Sequence, residues 1–144
     1  MTPVDAALVR RKLATMMETL TALEPLSHLS LAEYRARLYE RKAAERLLQE
    51  TIEAAVDVNA HLVAELGRAV PDDYYSGFLR LGELGVLPTA LAQDLAPAAG
   101  PRNHLVHEYD AIDDARVLSS ISVILDLYAQ YTLAIERYLV KSGQ

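Results

Sequence analysis

The fold is decided by one uninterrupted stretch of the chain, residues 31–67, which reads LAEYRARLYERKAAERLLQETIEAAVDVNAHLVAELG. It contains no proline and no glycine before Gly67, and it is rich in alanine, leucine, glutamate and arginine, which favour helices. Ser30 and Glu33 form a capping-box pattern at its start, and Gly67 stands where a C-cap glycine belongs. The stretch predicts one long helix of about 36 residues, roughly 54 Å in length.

Shorter helical segments are predicted on both sides of this helix, each bounded by capping residues, prolines or glycines. They cover residues 3–24, 74–84, 87–95 and 113–140, and a further helical turn follows Pro101. The connections are short and no internal repeat occurs. We therefore predict an all-α fold, an antiparallel helical bundle of about five to six helices with one long second helix, in a single domain over residues 1–144.

Charge and composition exclude several classes of protein. The net charge of −6 disfavours general binding to DNA, because nonspecific affinity for nucleic acid comes mainly from Lys and Arg. The sequence has no cysteine, so neither a disulfide framework nor a thiolate metal site is expected. We find no stretch that approaches the roughly 20 apolar residues of a membrane span. These features predict a soluble, cytoplasmic protein that acts on neither membranes nor DNA.

Residues 102–109, RNHLVHEY, concentrate groups that suit phosphate chemistry. Arg102 offers guanidinium donors to a phosphate, and His107 changes charge near neutral pH, so it can accept and return a proton. Five residues apart on a straight helix, the two side chains diverge by roughly 140°. Either the break at residues 100–101 reorients Arg102, or two chains each supply part of a site. We favour a two-fold homodimer.

A line of side chains on the long helix forms a second candidate site. Arg35, Tyr39, Lys42 and Arg46 follow one another along one face at a step of roughly 100° per residue. Two interpretations are open. The line is either a solvated face, as helical charge runs usually are, or a basic wall that contacts a phosphate-bearing substrate or a partner chain.

The motif at residues 102–109 and its surroundings resemble the HEPN superfamily, in its HepT-like toxin branch. Arg102 and Asn103, followed by His107 and then Tyr109, are similar to the signature of that branch. Residues 45–61, 75–88 and 112–114 resemble it in order and spacing, so that the resemblance covers nearly the whole chain. Pro101 is a departure, because an aromatic or other large residue is expected there.

This resemblance implies a dimer with both motifs facing one cleft, and a metal-independent endoribonuclease without a cofactor. Arg102 would bind the RNA phosphate, His107 would be the general acid and base, and Asn103 would orient one of them. The same branch is commonly encoded beside a small nucleotidyltransferase antitoxin (MntA-like), which in some members attaches AMP to the motif tyrosine, here Tyr109. AMP on Tyr109 would bring negative charge to the face that it shares with Arg102.

Two other functions are also compatible with the sequence. The first is a non-catalytic HEPN nucleotide-binding or adaptor module that partners a nucleotidyltransferase, in which Arg102 and the basic wall hold the nucleotide or the partner. The second is metal binding by His104 and His107. Metal ions in proteins usually take three or four ligands, and neither a Cys nor a second His pair completes such a set here, so we predict no metal.

Overall fold

The part of the chain that this computed structural model describes, residues 5–99 and 113–143, consists of six α-helices and one 3₁₀ helix. In chain order they are α1 (Ala6–Leu23), the 3₁₀ helix (Glu24–His28), α2 (Leu31–Ala36), α3 (Leu38–Glu65), α4 (Tyr74–Glu83), α5 (Thr89–Ala98) and α6 (Asp114–Lys141). These ranges contain no β-strand, so the all-α class predicted from the sequence is confirmed.

The long helix predicted over residues 31–66 is divided in two at Arg37. This residue adopts an extended conformation, with φ −112° and ψ 91°, and separates α2 from α3. No proline or glycine forces the break. Arg41 lies beside Asp114, the first residue of α6, so a straight continuation of α3 would project beyond the bundle. The turn at Arg37 lets α2 pack against α6 and bury Tyr34 completely.

Side-chain contacts between helices fix the directions of the three longest ones. The contacts are Lys12–Asp57 and Thr19–Thr51 for α1 with α3, Arg10–Glu136 and Met17–Thr132 for α1 with α6, and Arg41–Asp114 and Asn59–Tyr131 for α3 with α6. Residue numbers rise along α1 while they fall along both partners, so α1 runs antiparallel to α3 and α6. Numbers rise together along α3 and α6, so these two helices run parallel.

Polar caps start most of the helices where the sequence predicts them. Ser30 and Glu33 form both hydrogen bonds of the capping box at the start of α2. The Asp73 carboxylate accepts the Ser76 amide at 2.7 Å, and Asp113 caps α6 in the same way. These caps satisfy amides that have no partner inside their helix.

Two helix ends differ from the sequence prediction. The carboxylate of Asp5 caps α1 by accepting the Leu8 amide at 3.0 Å, whereas the predicted start of this helix, residue 3, lies outside the described residues. Helix α5 continues to Ala98, beyond the predicted end at residue 95, with Pro97 in its last turn. Proline lacks the amide that would bond the carbonyl four residues earlier. That carbonyl belongs to the exposed Gln93, so water can reach it.

Aromatic rings form the centre of the core. Phe78 of α4 packs edge-on against Tyr128 and Tyr131 of α6, with ring centroids 5.9 to 6.2 Å apart. Such edge-on pairs contribute roughly 0.5–1.5 kcal/mol each beyond the area that they bury. The rings therefore fix α4 against α6 in one orientation.

Helix α6 is long and apolar enough to cross a membrane when only its length and composition are considered. The sequence predicts no segment apolar enough to span a membrane, and by these two criteria that prediction is wrong for α6. Its large apolar side chains, such as Ile121, Tyr128 and Ile135, are fully buried against the other helices. This burial is what the core helix of a bundle requires.

Candidate functional site

The residues predicted to carry the reaction lie outside the described residues. Arg102, Asn103 and His107 are among them, as are Tyr109 and Pro101. Their roles therefore remain predictions from the sequence. The structure describes the two helix ends between which they occur, the end of α5 and the start of α6.

The end of α5 is held firmly against the bundle. Leu95, Ala96 and Ala99 are all buried there. Helix α5 also approaches α4 so closely that a Cβ built on Gly82 would lie 2.7 Å from the Cβ of Ala92. Only glycine allows this approach, and it fixes the position from which the motif segment starts.

The start of α6 is held by four polar side chains, Tyr34, Arg41, Glu45 and Asp114, which we call the junction cluster. It lies where α2, α3 and α6 meet. Arg41 Nη1 is 4.0 Å from Asp114 Oδ2, and both side chains are partly buried. Asp114 is the second described residue after the motif segment. The cluster therefore fixes the point at which that segment rejoins the bundle.

The junction cluster keeps its phenol protonated. Burial, together with the nearby Glu45 and Asp114 carboxylates, raises the pKa of Tyr34 to about 12, although Arg41 acts in the opposite direction. The Tyr34 hydroxyl and Arg41 Nε are buried without a hydrogen-bond partner among the described residues. With two carboxylates and one guanidinium, the cluster is poorly suited to bind phosphate. The junction cluster could not be predicted from sequence spacing, because it depends on the turn at Arg37 that brings α2 to α6.

The predicted line of Arg35, Tyr39, Lys42 and Arg46 is interrupted by the break at Arg37. Tyr39, Lys42 and Arg46 share an exposed face of α3, and Tyr39 is 86% exposed. Arg35 lies on α2, so the helical step that aligned it with the others does not apply. Lys42 lies 3.6 Å from Glu45 and Arg46 bonds Glu50 at 2.8 Å, which reduces the positive charge of this face.

Three further polar residues of α3, namely Asp57, Asn59 and His61, have separate roles. Only Asn59 is buried, and its Oδ1 accepts the Tyr131 hydroxyl. Asp57 pairs with Lys12 at 3.0 Å, and His61 Nε2 accepts the Asp5 amide at 3.3 Å. Two of the three therefore anchor α1.

No metal site is found in the part of the chain that the structure describes. Across residues 5–99 and 113–143, no three His, Asp or Glu side chains lie close enough together to hold a metal ion. His104 and His107, the pair considered for metal binding from the sequence, fall outside these ranges.

Comparison of the sequence with known proteins identifies relatives over most of its length. A family model described as ribonuclease HepT-like matches residues 16–135, a range that includes the motif. The tRNA nuclease HepT of Aphanizomenon flos-aquae is 34% identical over 140 residues, which cover 97% of this chain and 95% of that protein. A putative RNase of Archaeoglobus fulgidus is 40% identical over 94 residues, or 65% of this chain and 70% of the relative.

Solved structures share the fold at low sequence identity. A Shewanella oneidensis HEPN toxin, tri-AMPylated and in complex with its MNT antitoxin, has a TM-score of 0.79 at 18% identity and covers 90% of this chain and 97% of its own. The cytosolic protein YutE of Bacillus subtilis, of unknown function, has a TM-score of 0.84 at 17% identity and covers 99% and 95%.

The all-α architecture and these neighbours define a helical bundle with the same fold as the HEPN toxin. The chain belongs to the HepT-like ribonuclease family, since the family model matches residues 16–135 and a relative named as a nuclease aligns with nearly the whole sequence.

Proposed function

We propose that this protein is a cytoplasmic ribonuclease toxin that cleaves tRNA, and that Arg102, Asn103 and His107 perform the reaction. The observation that carries the proposal is the alignment with the tRNA nuclease of Aphanizomenon flos-aquae, which spans 97% of this chain. Family membership supports ribonuclease activity, and the motif supplies groups suited to it. The cytosolic YutE, with a similar fold, supports the location.

The proposed reaction needs no metal ion. His107 takes the proton of a ribose 2′-hydroxyl, and the freed oxygen attacks the adjacent phosphorus. Arg102 stabilises the negative charge that develops on the phosphate oxygens, and Asn103 orients one of the two side chains. The bond to the 5′-oxygen then breaks and that oxygen takes up a proton. The products are a 2′,3′-cyclic phosphate and a free 5′-hydroxyl.

We propose that the active form is a homodimer. Arg102 and His107 diverge by roughly 140° on a straight helix, so a single helix holds them poorly for work on one phosphate. Two copies related by a two-fold axis would place two motifs at one cleft. The acidic chain would also gain local positive charge there, which RNA binding requires.

We further propose that a nucleotidyltransferase antitoxin of the MntA type neutralises the protein and attaches AMP to Tyr109. The support is the fold shared with an AMPylated HEPN toxin in complex with its MNT antitoxin. AMP carries a negatively charged phosphate, and Tyr109 would share a helical face with Arg102. The modification would therefore compete with the phosphate of the RNA substrate.

Cleavage of tRNA by the purified protein in the presence of a chelator tests the catalytic assignment. Arg102→Ala and His107→Ala should each lower the cleavage rate by roughly 100-fold or more, the usual size of a general-base or charge-stabilising contribution. His104→Ala is the matched control, a second histidine of the same motif without an assigned role. Full activity in either catalytic variant, or loss of activity on chelation, would contradict the mechanism. Tight nucleotide binding without cleavage would instead indicate an adaptor module.

A further inference from the structure

A cavity of about 80 Å³ opens between α3 and the start of α4. Its walls include the apolar side chains of Val56, Val70 and Pro71, and Gly77 of α4 forms another part of its lining. None of these residues belongs to the proposed catalytic motif. The cavity is therefore lined by residues that are separate from that motif.

One residue of the cavity lining, Asn59, carries a polar group that no described residue satisfies. Asn59 is only 2% exposed, and its Oδ1 is bonded to the Tyr131 hydroxyl in the core. Its Nδ2 is buried without a hydrogen-bond partner among the described residues. A Cβ built on Gly77 would lie 3.8 Å from this Nδ2, so the amide nitrogen faces the glycine wall. An unpaired buried donor costs roughly 1–3 kcal/mol, which favours an occupant with an acceptor atom.

The cavity is larger than a single water molecule requires. One buried water needs roughly 10–15 Å³ of such space. The volume of about 80 Å³ has room for several waters or for a flat organic ring. The aromatic side chain of Tyr74 also lines the cavity and offers a stacking surface for such a ring.

Two carboxylates restrict what can enter. Asp72 and Asp73 both line the cavity. Hydrogen bonds from the backbone and side chain of Ser76 lower the pKa of Asp73, so this group is ionised at neutral pH. The negative charge repels an anionic ligand. A Lys or Arg side chain offers only donors and would leave Asn59 Nδ2 unpaired. An occupant that satisfies these groups is neutral, with an acceptor for Asn59 Nδ2 and a donor that has two protons for the two carboxylates.

We propose that this cavity binds one unstacked nucleobase with an exocyclic amino group, namely adenine, cytosine or guanine. A ring nitrogen or carbonyl of the base accepts a hydrogen bond from Asn59 Nδ2, and the amino group donates its two protons to the carboxylates of Asp72 and Asp73. The phosphates of the nucleotide stay outside, away from the two carboxylates. Unpaired bases of RNA are commonly recognised in this way, by stacking and by hydrogen bonds along one edge.

Binding of free nucleosides tests the site directly on the full-length protein. Adenosine, cytidine and uridine are titrated into ¹⁵N-labelled protein, and the side-chain amide signals of Asn59 are followed by NMR. Saturable shifts are expected with adenosine and cytidine, and at least fivefold weaker binding with uridine, because its base offers a single N3–H donor in place of an amino group with two protons. Absence of shifts up to the solubility limit would mean that the cavity holds only water, and equal binding of uridine would overturn the assigned chemistry.

Gly77→Ala is the blocking variant, because its new methyl group narrows the cavity beside Asn59 Nδ2. Its closest neighbour would lie at 3.8 Å, an ordinary van der Waals distance, so the fold should persist. Nucleoside binding should weaken at least fivefold in this variant. Tyr75→Phe serves as the control, since Tyr75 is an exposed aromatic residue of α4 outside the cavity lining. Unchanged binding in Gly77→Ala would overturn the proposal.

The idea that the bound base belongs to an RNA substrate rests on the proposed function, whereas the binding of free nucleosides does not. A short 2′-O-methyl RNA, which the proposed reaction cannot cleave, should bind more tightly than the free nucleoside if the base belongs to the substrate. This gain should be lost in Gly77→Ala. Equal affinity for oligonucleotide and nucleoside would overturn the substrate role and point to a free nucleoside. Cleavage of tRNA is measured in a separate assay. Failure of the proposed nuclease function and failure of the proposed nucleobase site can therefore be told apart.

Discussion

The hydroxyl of Tyr131 donates a hydrogen bond of 2.5 Å to Oδ1 of Asn59, although 72 residues separate the two in sequence. Both side chains are buried, and the bond joins the two parallel helices α3 and α6. It also orients the amide of Asn59, so that Nδ2 is turned toward the cavity beside Gly77. One contact therefore serves both the core and the proposed nucleobase site.

Removal of this bond should destabilise the fold. Tyr131→Phe leaves Asn59 Oδ1 buried without its donor, and we expect the free energy of unfolding to fall by roughly 1–3 kcal/mol. Urea denaturation measures the change. Tyr39→Phe, at a tyrosine that is 86% exposed, is the control and should change stability by less than about 0.5 kcal/mol. Equal stability of the two variants would show that the bond contributes little.

Replacement by alanine should have opposite effects on stability at two glycines of α4. At Gly82 the new Cβ would meet Ala92 at 2.7 Å, so Gly82→Ala should destabilise the protein by roughly 1–3 kcal/mol. At Gly77 the nearest atoms lie at 3.8 Å, and alanine should stabilise the helix by roughly 0.5–1 kcal/mol. Thermal unfolding of both variants checks the pair. A stabilising Gly82→Ala would contradict the close packing of α4 on α5.

The cap of α4 should make stability depend on pH. Hydrogen bonds from Ser76 lower the pKa of Asp73 in the folded state, so the unfolded state binds the proton more readily. The stabilising contribution is fully present above the pKa of the unfolded carboxyl and is lost as the pH falls through the lower folded value. Asparagine also caps helices well but does not titrate.

The Asp73→Asn variant tests this dependence of stability on pH. Urea midpoints of the parent protein should fall more steeply than those of Asp73→Asn between about pH 5 and pH 2, since a paired carboxylate loses its contribution across that range. Near neutral pH the two should differ little. Parallel curves through the acid range would show that Asp73 does not contribute to the acid sensitivity of the fold.

Modification of Tyr109 can be measured by mass. The protein produced together with its neighbouring nucleotidyltransferase should be heavier than the protein produced alone, by a whole number of AMP groups. In Tyr109→Phe the first addition should be lost, because the hydroxyl that forms the phosphodiester is gone. Equal masses with and without the neighbour would leave complex formation as the route of neutralisation.

The sequence by itself determined which segments are helical. Local signals carried this information: the capping box at Ser30 and the aspartate caps at Asp73 and Asp113 lie where the structure places helix starts. It also determined the motif at residues 102–109 and, through the resemblance, the family. These properties follow from neighbouring residues alone, since capping and helix propensity act within one or two turns.

Only the tertiary structure decided where the long helical stretch breaks and how the helices pack against one another. No residue type in the stretch 31–66 predicts a break at Arg37. The break occurs because α6 begins beside Arg41, so a straight helix would have no α6 surface to pack against before that residue. The burial of Tyr34 and the orientation of the Asn59 amide likewise depend on partners far away in sequence. Packing against distant helices overrides local preference because burial of a large side chain contributes roughly 1.5–3 kcal/mol, more than a single residue's helix propensity of at most about 1 kcal/mol.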